Sequence, residues 1–163
     1  MKKIYSTPNI LVLGLVIYWN YLSNTGIIEG KTVGSISDQY DNLFPPAAYA
    51  FAIWGVIYLA LLAFAVNQLF KAFKDSKYSD TIVKIGPWFS IANLANAAWI
   101  WFWLNEELAL SVLLMLVILF SLIKATLRLN LIKEDAPFKV KALVNWSVGI
   151  YLGWISVATI ANV

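Results

Sequence analysis

Residues 42–70 read NLFPPAAYAFAIWGVIYLALLAFAVNQLF and contain no Asp, Glu, Lys or Arg. A transmembrane helix needs about 20 consecutive, mostly apolar residues, because the hydrocarbon core of a bilayer is about 30 Å thick. The residue before a proline avoids helical geometry, whereas proline itself is accepted in a first helical turn. The Pro45-Pro46 pair therefore predicts that a membrane-spanning helix begins near Pro46.

Four further stretches are equally free of charged residues. They are Ile4–Ile28, Ile85–Asn105, Leu108–Ile123 and Ala142–Val163. The fourth span can continue past Lys124 and Arg128, because long basic side chains reach back to the membrane surface. The predicted fold class is an all-α membrane protein, a five-transmembrane-helix bundle. It forms one domain over residues 1–163, with helices at about 8–25, 46–70, 85–105, 108–130 and 140–162.

The composition agrees with this class and removes several kinds of active site. Hydrophobic residues make up 61% of the chain and charged residues 13%, against about 45–50% and about 25% in soluble domains. The absence of Cys and His excludes disulfides, thiolate nucleophiles and the commonest general base and haem ligand. No metal site and no required cofactor are predicted. No charge lies inside the five uncharged stretches that define the spans, which argues against ion-coupled transport.

The basic residues predict the orientation. Eleven of the twelve lie in the N-terminus and the second and fourth connections, and only Lys31 lies on the opposite side. Basic loops stay in the cytoplasm, so we expect a cytoplasmic N-terminus and an outward-facing first loop and C-terminus. The net charge of +3 is thereby explained without a nucleic-acid partner. Lys2-Lys3 could also begin a signal peptide, but no small-x-small cleavage site follows, which favours a retained helix.

The eight tryptophans divide by predicted depth. Trp19, Trp88 and Trp146 fall near helix ends, where tryptophan commonly anchors a helix at the membrane surface. The others lie deeper or crowd the outer half of the third span, as Trp101 does. Trp54 shares a helical face with Tyr58, since residues four apart are neighbours on a helix surface.

Two more aromatic faces follow from the same spacing. Asn96, Trp99 and Trp103 share one face of the third span, and Tyr151, Trp154 and Ala158 share one face of the fifth. An aromatic cavity open toward the first loop would suit a flat hydrophobic ligand. Ordinary helix packing with large side chains is the alternative interpretation of the same pattern.

Polar and small residues inside the spans favour contacts between helices. Asn93, Asn96 and Asn162 need hydrogen-bond partners at membrane depth, from neighbouring helices or from a wet cavity. Gly149 and Gly153 form a G-x-x-x-G pattern that permits close approach, within the bundle or between protomers. Glu106 and Glu107 lie in the tight turn between the third and fourth spans and are interpreted as a solvated turn.

Three blocks of sequence carry a family resemblance. PPAAYAFAIWGVIY at 45–58 is similar to P-P-x-W-x-F-x-x-x-W-x-x-L-Y, NAAW at 96–99 to N-x-x-W, and YLGWISVATIAN at 151–162 to Y-L-x-W-x-x-x-A-T-x-x-N. Together they resemble the tryptophan-rich sensory protein and translocator protein family (TspO/MBR, the peripheral benzodiazepine receptor group). Ala48 replaces the first Trp of its block, and Ile100-Trp101 and Ile150 replace prolines, which indicates a divergent bacterial-type member.

The resemblance implies a five-helix bundle, commonly a homodimer, in the bacterial cytoplasmic membrane, with a pocket beneath the first loop. The family binds porphyrins, haem-like tetrapyrroles and other flat hydrophobic molecules, including sterols. Together with the aromatic faces, it predicts eight ligand-binding residues. They are Trp54, Tyr58, Asn96, Trp99, Trp103, Tyr151, Trp154 and Ala158.

Three functions remain open on this evidence. The first is a multi-pass membrane protein that binds, senses or moves a porphyrin-like ligand. The second is an enzyme that degrades porphyrin; no catalytic residue is predicted otherwise, and Trp54 and Trp154 would be the candidates. The third is a passive transporter, or one part of a larger permease.

Overall fold

The computed structural model describes residues 2–28, 30–40, 46–74, 85–129, 138 and 142–162, and every regular element in these ranges is helical. In chain order the helices are α1 (Lys2–Asn24), the short α2 (Val33–Ser37), α3 (Ile53–Lys74), α4 (Trp88–Leu104), α5 (Leu108–Leu129) and α6 (Ser147–Ala161). A 3-10 turn at Ala48–Ala52 precedes α3, and a π-helical turn at Ala142–Trp146 precedes α6.

The five long helices lie on the five predicted spans, with shifted ends. Pro8 lies inside α1, so this helix begins before the predicted start at residue 8. At α4, Gly86 adopts a left-handed φ of 60° and Pro87 occupies the N-cap, which delays the helix to Trp88. Most of the predicted connections at 71–84 and 131–139 lies outside the described residues, which lack 75–84, 130–137 and 139–141.

Three helical stretches are long and apolar enough to cross a membrane: Tyr49–Phe73, Leu108–Leu129 and Leu143–Ala161. The remaining two long helices are weaker candidates by length and composition. α4 has 17 residues, slightly fewer than the usual span, and α1 buries the polar side chains of Ser6, Asn9 and Asn20. The chain is therefore an all-helical protein with membrane-spanning character.

The long helices form a closed ring. α4 packs on α1 and α5, α5 packs on α6, and α3 packs on both α6 and α1. The interior holds the largest buried apolar side chains, including Phe64, Ile100 and Ile155. Ser147 Oγ also donates to the Ala60 carbonyl at 3.0 Å, which links α6 to α3.

Polarity is distributed as a bilayer requires. Large apolar side chains such as Leu15, Leu59 and Ile160 lie exposed on the outer surface of the ring. Asn93 and Asn96, in contrast, are completely buried between helices. Without water, helix association depends on close packing and hydrogen bonds, so this arrangement favours a lipid environment over an aqueous one.

Candidate functional site

Three helices bring their aromatic faces together at one end of the bundle. We call the group the aromatic cluster; its members are Phe51, Trp54, Tyr58, Trp99, Trp103, Tyr151 and Trp154. Trp54 lies at its centre, with ring centroids 5.6 Å from Tyr58, 6.0 Å from Trp99, 5.9 Å from Tyr151 and 6.3 Å from Trp154. These separations fall within the range in which aromatic pairs attract one another.

Helical spacing explains the order inside the cluster. Trp54 and Tyr58 are four residues apart on α3 and stack with an interplanar angle of 22°. Trp99 and Trp103 repeat this spacing on α4 and stack at 21°. Trp154 on α6 meets Trp54 edge-on at 85°. Trp54, Trp99 and Trp103 are therefore buried inside the bundle, as the predicted faces required, and Trp154 is half-buried beside them.

The cluster surrounds a small cavity. Its volume is about 30 Å³, room for about two water molecules, whereas sites for small-molecule ligands usually measure about 300–1,000 Å³. The rings themselves occupy the space between α3, α4 and α6. A flat ligand could enter only if the rings separate.

Five of the eight predicted ligand-binding residues line this cavity. They are Trp54, Trp99, Trp103, Trp154 and Ala158. The other three, Tyr58, Asn96 and Tyr151, lie behind the indoles. The Tyr58 hydroxyl donates to Asn96 Oδ1 at 3.1 Å, and Asn96 Nδ2 donates to the Tyr151 hydroxyl at 2.9 Å. This bridge joins α3, α4 and α6 and holds the Tyr58 and Tyr151 rings in contact with Trp54.

Several lining residues were missed by the sequence analysis. They are Ser37, Pro46, Phe51, Met115, Val157, Ala161 and Asn162. Phe51 precedes Trp54 by three residues and Asn162 follows Ala158 by four, so helical spacing could have indicated both. Met115 comes from α5, and no spacing along the chain relates it to the aromatic faces.

Asn162 fixes one wall of the cavity. Its Oδ1 accepts from Trp99 Nε1 at 3.1 Å, and its Nδ2 donates to Ser111 Oγ at 2.8 Å. Ser111 in turn donates to the Leu108 carbonyl at 2.8 Å. This chain joins α4, α6 and α5, so the orientation of the Trp99 indole is determined by two neighbouring helices.

The Trp154 indole differs from its neighbours. Trp99 Nε1 donates to Asn162 Oδ1, and Trp103 Nε1 donates to the Val33 carbonyl at 3.1 Å. Trp154 Nε1 is buried and has no partner among the described residues. An unpaired buried donor costs about 1–3 kcal/mol. A ligand with a hydrogen-bond acceptor at this position would remove that cost.

The first loop covers the cluster. We call residues 30–40 the cover segment; it contains α2, whose N-terminus is closed by a reciprocal capping box between Thr32 and Ser35. Val33 and Ile36 are buried against the bundle. The Trp103 bond to the Val33 carbonyl attaches α2 directly to the aromatic cluster.

An ion pair attaches the cover segment to the turn after α4. Lys31 Nζ donates to Glu106 Oε1 at 2.8 Å, and the Tyr40 hydroxyl donates to Glu106 Oε2 at 3.2 Å. The hydrogen bond and charge of Lys31 lower the pKa of Glu106. Burial, followed by the bond to Glu106, raises the pKa of Tyr40. Glu106 and Glu107 are exposed, as expected for a solvated turn, and Glu106 in addition pairs with Lys31 and Tyr40.

Among the described residues, the site offers aromatic surface and the unpartnered Trp154 Nε1 donor, without an obvious metal-binding set. Within the described ranges, no group of three or more His, Cys, Asp or Glu side chains is placed to hold a metal ion. The lining carries no charged side chain. Its chemistry suits stacking and a single hydrogen bond.

Comparison with known protein families identifies the family of this chain. The family described as TSPO-like protein matches residues 5–163, nearly the whole chain, which confirms the resemblance carried by the three sequence blocks. Comparison of the chain with curated proteins gives no match, and neither does comparison with solved structures.

Proposed function

Because the chain belongs to the TSPO-like protein family, we propose that it binds a flat, hydrophobic, porphyrin-like ligand within the membrane, at the aromatic cluster. Membership and the apolar helices establish an integral membrane protein. The observation that most supports this site is the convergence of four indoles from three helices on one cavity. One of them, Trp154, has a buried Nε1 donor without a partner among the described residues.

Binding in this proposal exchanges ring–ring contacts for ring–ligand contacts. Aromatic pairs contribute about 0.5–1.5 kcal/mol beyond their area burial, so a macrocycle that replaces several such pairs loses little stacking. The ligand gains the Trp154 donor and buries its own apolar faces. Since the cavity measures about 30 Å³, binding of a macrocycle requires the indole rings to separate.

The proposal includes a topology. All five long helices span the bilayer, the N-terminus lies in the cytoplasm, and the cover segment and the aromatic cluster lie toward the outer surface. Eleven of the twelve basic residues lie at the N-terminus or around the second and fourth connections, and only Lys31 lies in the cover segment. This distribution supports the proposed orientation. A homodimer in a bacterial cytoplasmic membrane follows from the family resemblance and belongs to the same proposal.

Protoporphyrin IX binding to the purified chain in detergent micelles tests the site. Titration followed by the visible absorption of the porphyrin should saturate. Trp154→Phe should weaken binding by about two- to twelvefold, the equivalent of one neutral hydrogen bond, and Trp54→Ala combined with Trp154→Ala should weaken it further.

Trp146→Phe provides the matched control. Trp146 is 61% exposed and its ring contacts Phe138, away from the cluster, so this variant should bind like the wild type. Unchanged porphyrin affinity in the Trp54→Ala/Trp154→Ala variant would assign binding to another surface and refute the proposed site.

A further inference from the structure

A second, larger cavity lies on the outside of the bundle. It is a groove of about 500 Å³ between the C-terminal third of α1 and the first half of α3, a volume typical of ligand sites. We call it the α1–α3 groove. Phe51 and Tyr58 form its inner wall, so it backs onto the aromatic cluster without being part of the indole cavity.

The groove changes polarity along its length. Asn20, Tyr21 and Asn24 line the end next to the cover segment. Toward the middle of the helices the lining becomes apolar, with Ile17, Leu59 and Leu62. No charged side chain lines the groove. An occupant that matches this surface has a neutral polar group at one end and a hydrocarbon chain along the rest.

Asn20 lines this groove and carries an unused hydrogen-bond donor that is itself enclosed by protein atoms. Its side chain is only 8% exposed. The Asn20 Oδ1 and carbonyl oxygens accept from Asn24 Nδ2 at 3.3 and 2.8 Å, but Asn20 Nδ2 is buried without a partner among the described residues. A buried amide N–H without an acceptor is unfavourable, most of all in a bilayer, where water is scarce.

Gly55 opens the floor of the groove. A Cβ atom added at Gly55 would meet no other atom within 4 Å, so the missing side chain leaves space that neighbouring residues do not fill. Leu59 lies one helical turn further along and is largely exposed. A chain of methylene groups could therefore lie along α3 from Gly55 toward Leu62.

We infer that the α1–α3 groove is a specific site for one membrane glycerolipid. One acyl chain lies along Gly55, Leu59 and Leu62. The Asn20 side chain, whose Nδ2 atom is buried in the unliganded groove, turns toward the ester carbonyl of this chain and donates a hydrogen bond to it. The carbonyl is the acceptor that such a lipid carries at the boundary between its polar and apolar parts. The site adjoins the proposed porphyrin site and shares Phe51 and Tyr58 with the aromatic cluster, but neither Asn20 nor Gly55 lines the indole cavity.

Native mass spectrometry of the delipidated full chain tests this inference. Dioleoyl phosphatidylcholine is titrated against its dialkyl ether analogue, which has the same chains and headgroup and lacks the carbonyls. The wild type should show one saturable lipid per protomer and bind the ester lipid about two- to twelvefold more tightly, the equivalent of one neutral hydrogen bond. Asn20→Leu should remove this preference.

Gly55→Leu should eliminate the saturable site by filling the groove. Gly149→Leu is the matched control, since a Cβ atom at Gly149 also meets no atom within 4 Å, and it should bind lipid like the wild type. Trp54→Ala/Trp154→Ala should keep the lipid site, which separates its failure from that of the porphyrin site.

Two results would overturn the inference. Equal binding of ester and ether lipids to the wild type would remove the role of Asn20. If Gly55→Leu left lipid binding unchanged and converted dimers to monomers, the groove would instead belong to an interface with a second copy of the chain.

Discussion

Replacing Asn96 with leucine should destabilise the bundle strongly, because one completely buried amide connects α4 to both α3 and α6. The bonds are short: 3.1 Å from the Tyr58 hydroxyl to Asn96 Oδ1, and 2.9 Å from Asn96 Nδ2 to the Tyr151 hydroxyl. Both tyrosines touch Trp54. The same substitution should therefore loosen the aromatic cluster.

The size of the effect follows from what remains buried. Asn96→Leu leaves the Tyr58 and Tyr151 hydroxyls without this partner. A buried unsatisfied polar group costs about 1–3 kcal/mol, whereas hydrogen bonds between helices in a membrane bundle average about 0.6 kcal/mol. For two bonds we expect the free energy of unfolding to fall by about 1–4 kcal/mol.

Unfolding by SDS in mixed micelles, followed by circular dichroism, measures this loss. Asn93→Leu is the control on the same helix: Asn93 Nδ2 donates to the Phe89 carbonyl of its own helix at 2.8 Å, and its Oδ1 has no partner among the described residues. That variant should be close to neutral.

A triple variant tests the physical cause. Asn96→Leu combined with Tyr58→Phe and Tyr151→Phe removes the stranded hydroxyls together with the amide, so it should be more stable than Asn96→Leu alone. If Asn96→Leu matched the wild type, or if the triple variant were the least stable of all, the bridge would not hold the helices as described.

Two further predictions concern single residues. Gln68→Met should raise the free energy of unfolding by about 1 kcal/mol, because both amide atoms of Gln68 are buried without partners among the described residues; a lower stability in the same SDS titration would contradict this. Lys31 lowers the pKa of Glu106, so the ion pair stabilises the fold above the ordinary carboxyl pKa and loses its effect as the pH falls through the lowered value. The thermal midpoint of the wild type should exceed that of Glu106→Gln by a small margin at neutral pH and converge with it in acid, and a constant difference would refute the pairing.

The sequence was sufficient to predict the positions of the long helices and the faces of the aromatic residues. Runs without charge mark the helices, because a charged side chain is costly inside a bilayer. Spacings of three and four residues place Trp54 with Tyr58 and Trp99 with Trp103, since the geometry of a helix is fixed. These predictions depend only on local order along the chain.

What the sequence could not predict depends on how each helix is rotated against its neighbours. Asn93 and Asn96 are the same residue type three positions apart, yet only Asn96 connects helices in the described structure. Trp101 was grouped by depth with Trp99 and Trp103, but its ring pairs with Trp19 at 6.1 Å, outside the aromatic cluster. The closure of the cavity likewise arises from the summed volume of rings on three helices.

The Glu106 contacts illustrate a second limit. Glu106 adopts a left-handed φ of 61°. It occupies the C′ position at the end of α4, where the Glu106 N–H donates to the Trp103 carbonyl and the Glu107 N–H donates to the Phe102 carbonyl. Glycine is usual there, so the sequence predicts the turn at this place but not the left-handed backbone of Glu106. Its partners Lys31 and Tyr40 lie in a different part of the chain.

The most direct test of the aromatic cluster as a ligand site is the indole N–H signal of Trp154. In a ¹⁵N-labelled chain in detergent micelles, protoporphyrin IX should shift this signal in a saturable way, because the ligand would supply the acceptor that Trp154 Nε1 lacks among the described residues. The signal of the exposed Trp146 should stay in place. A Trp154 signal that does not move when the porphyrin is fully bound would contradict ligand binding at the cluster.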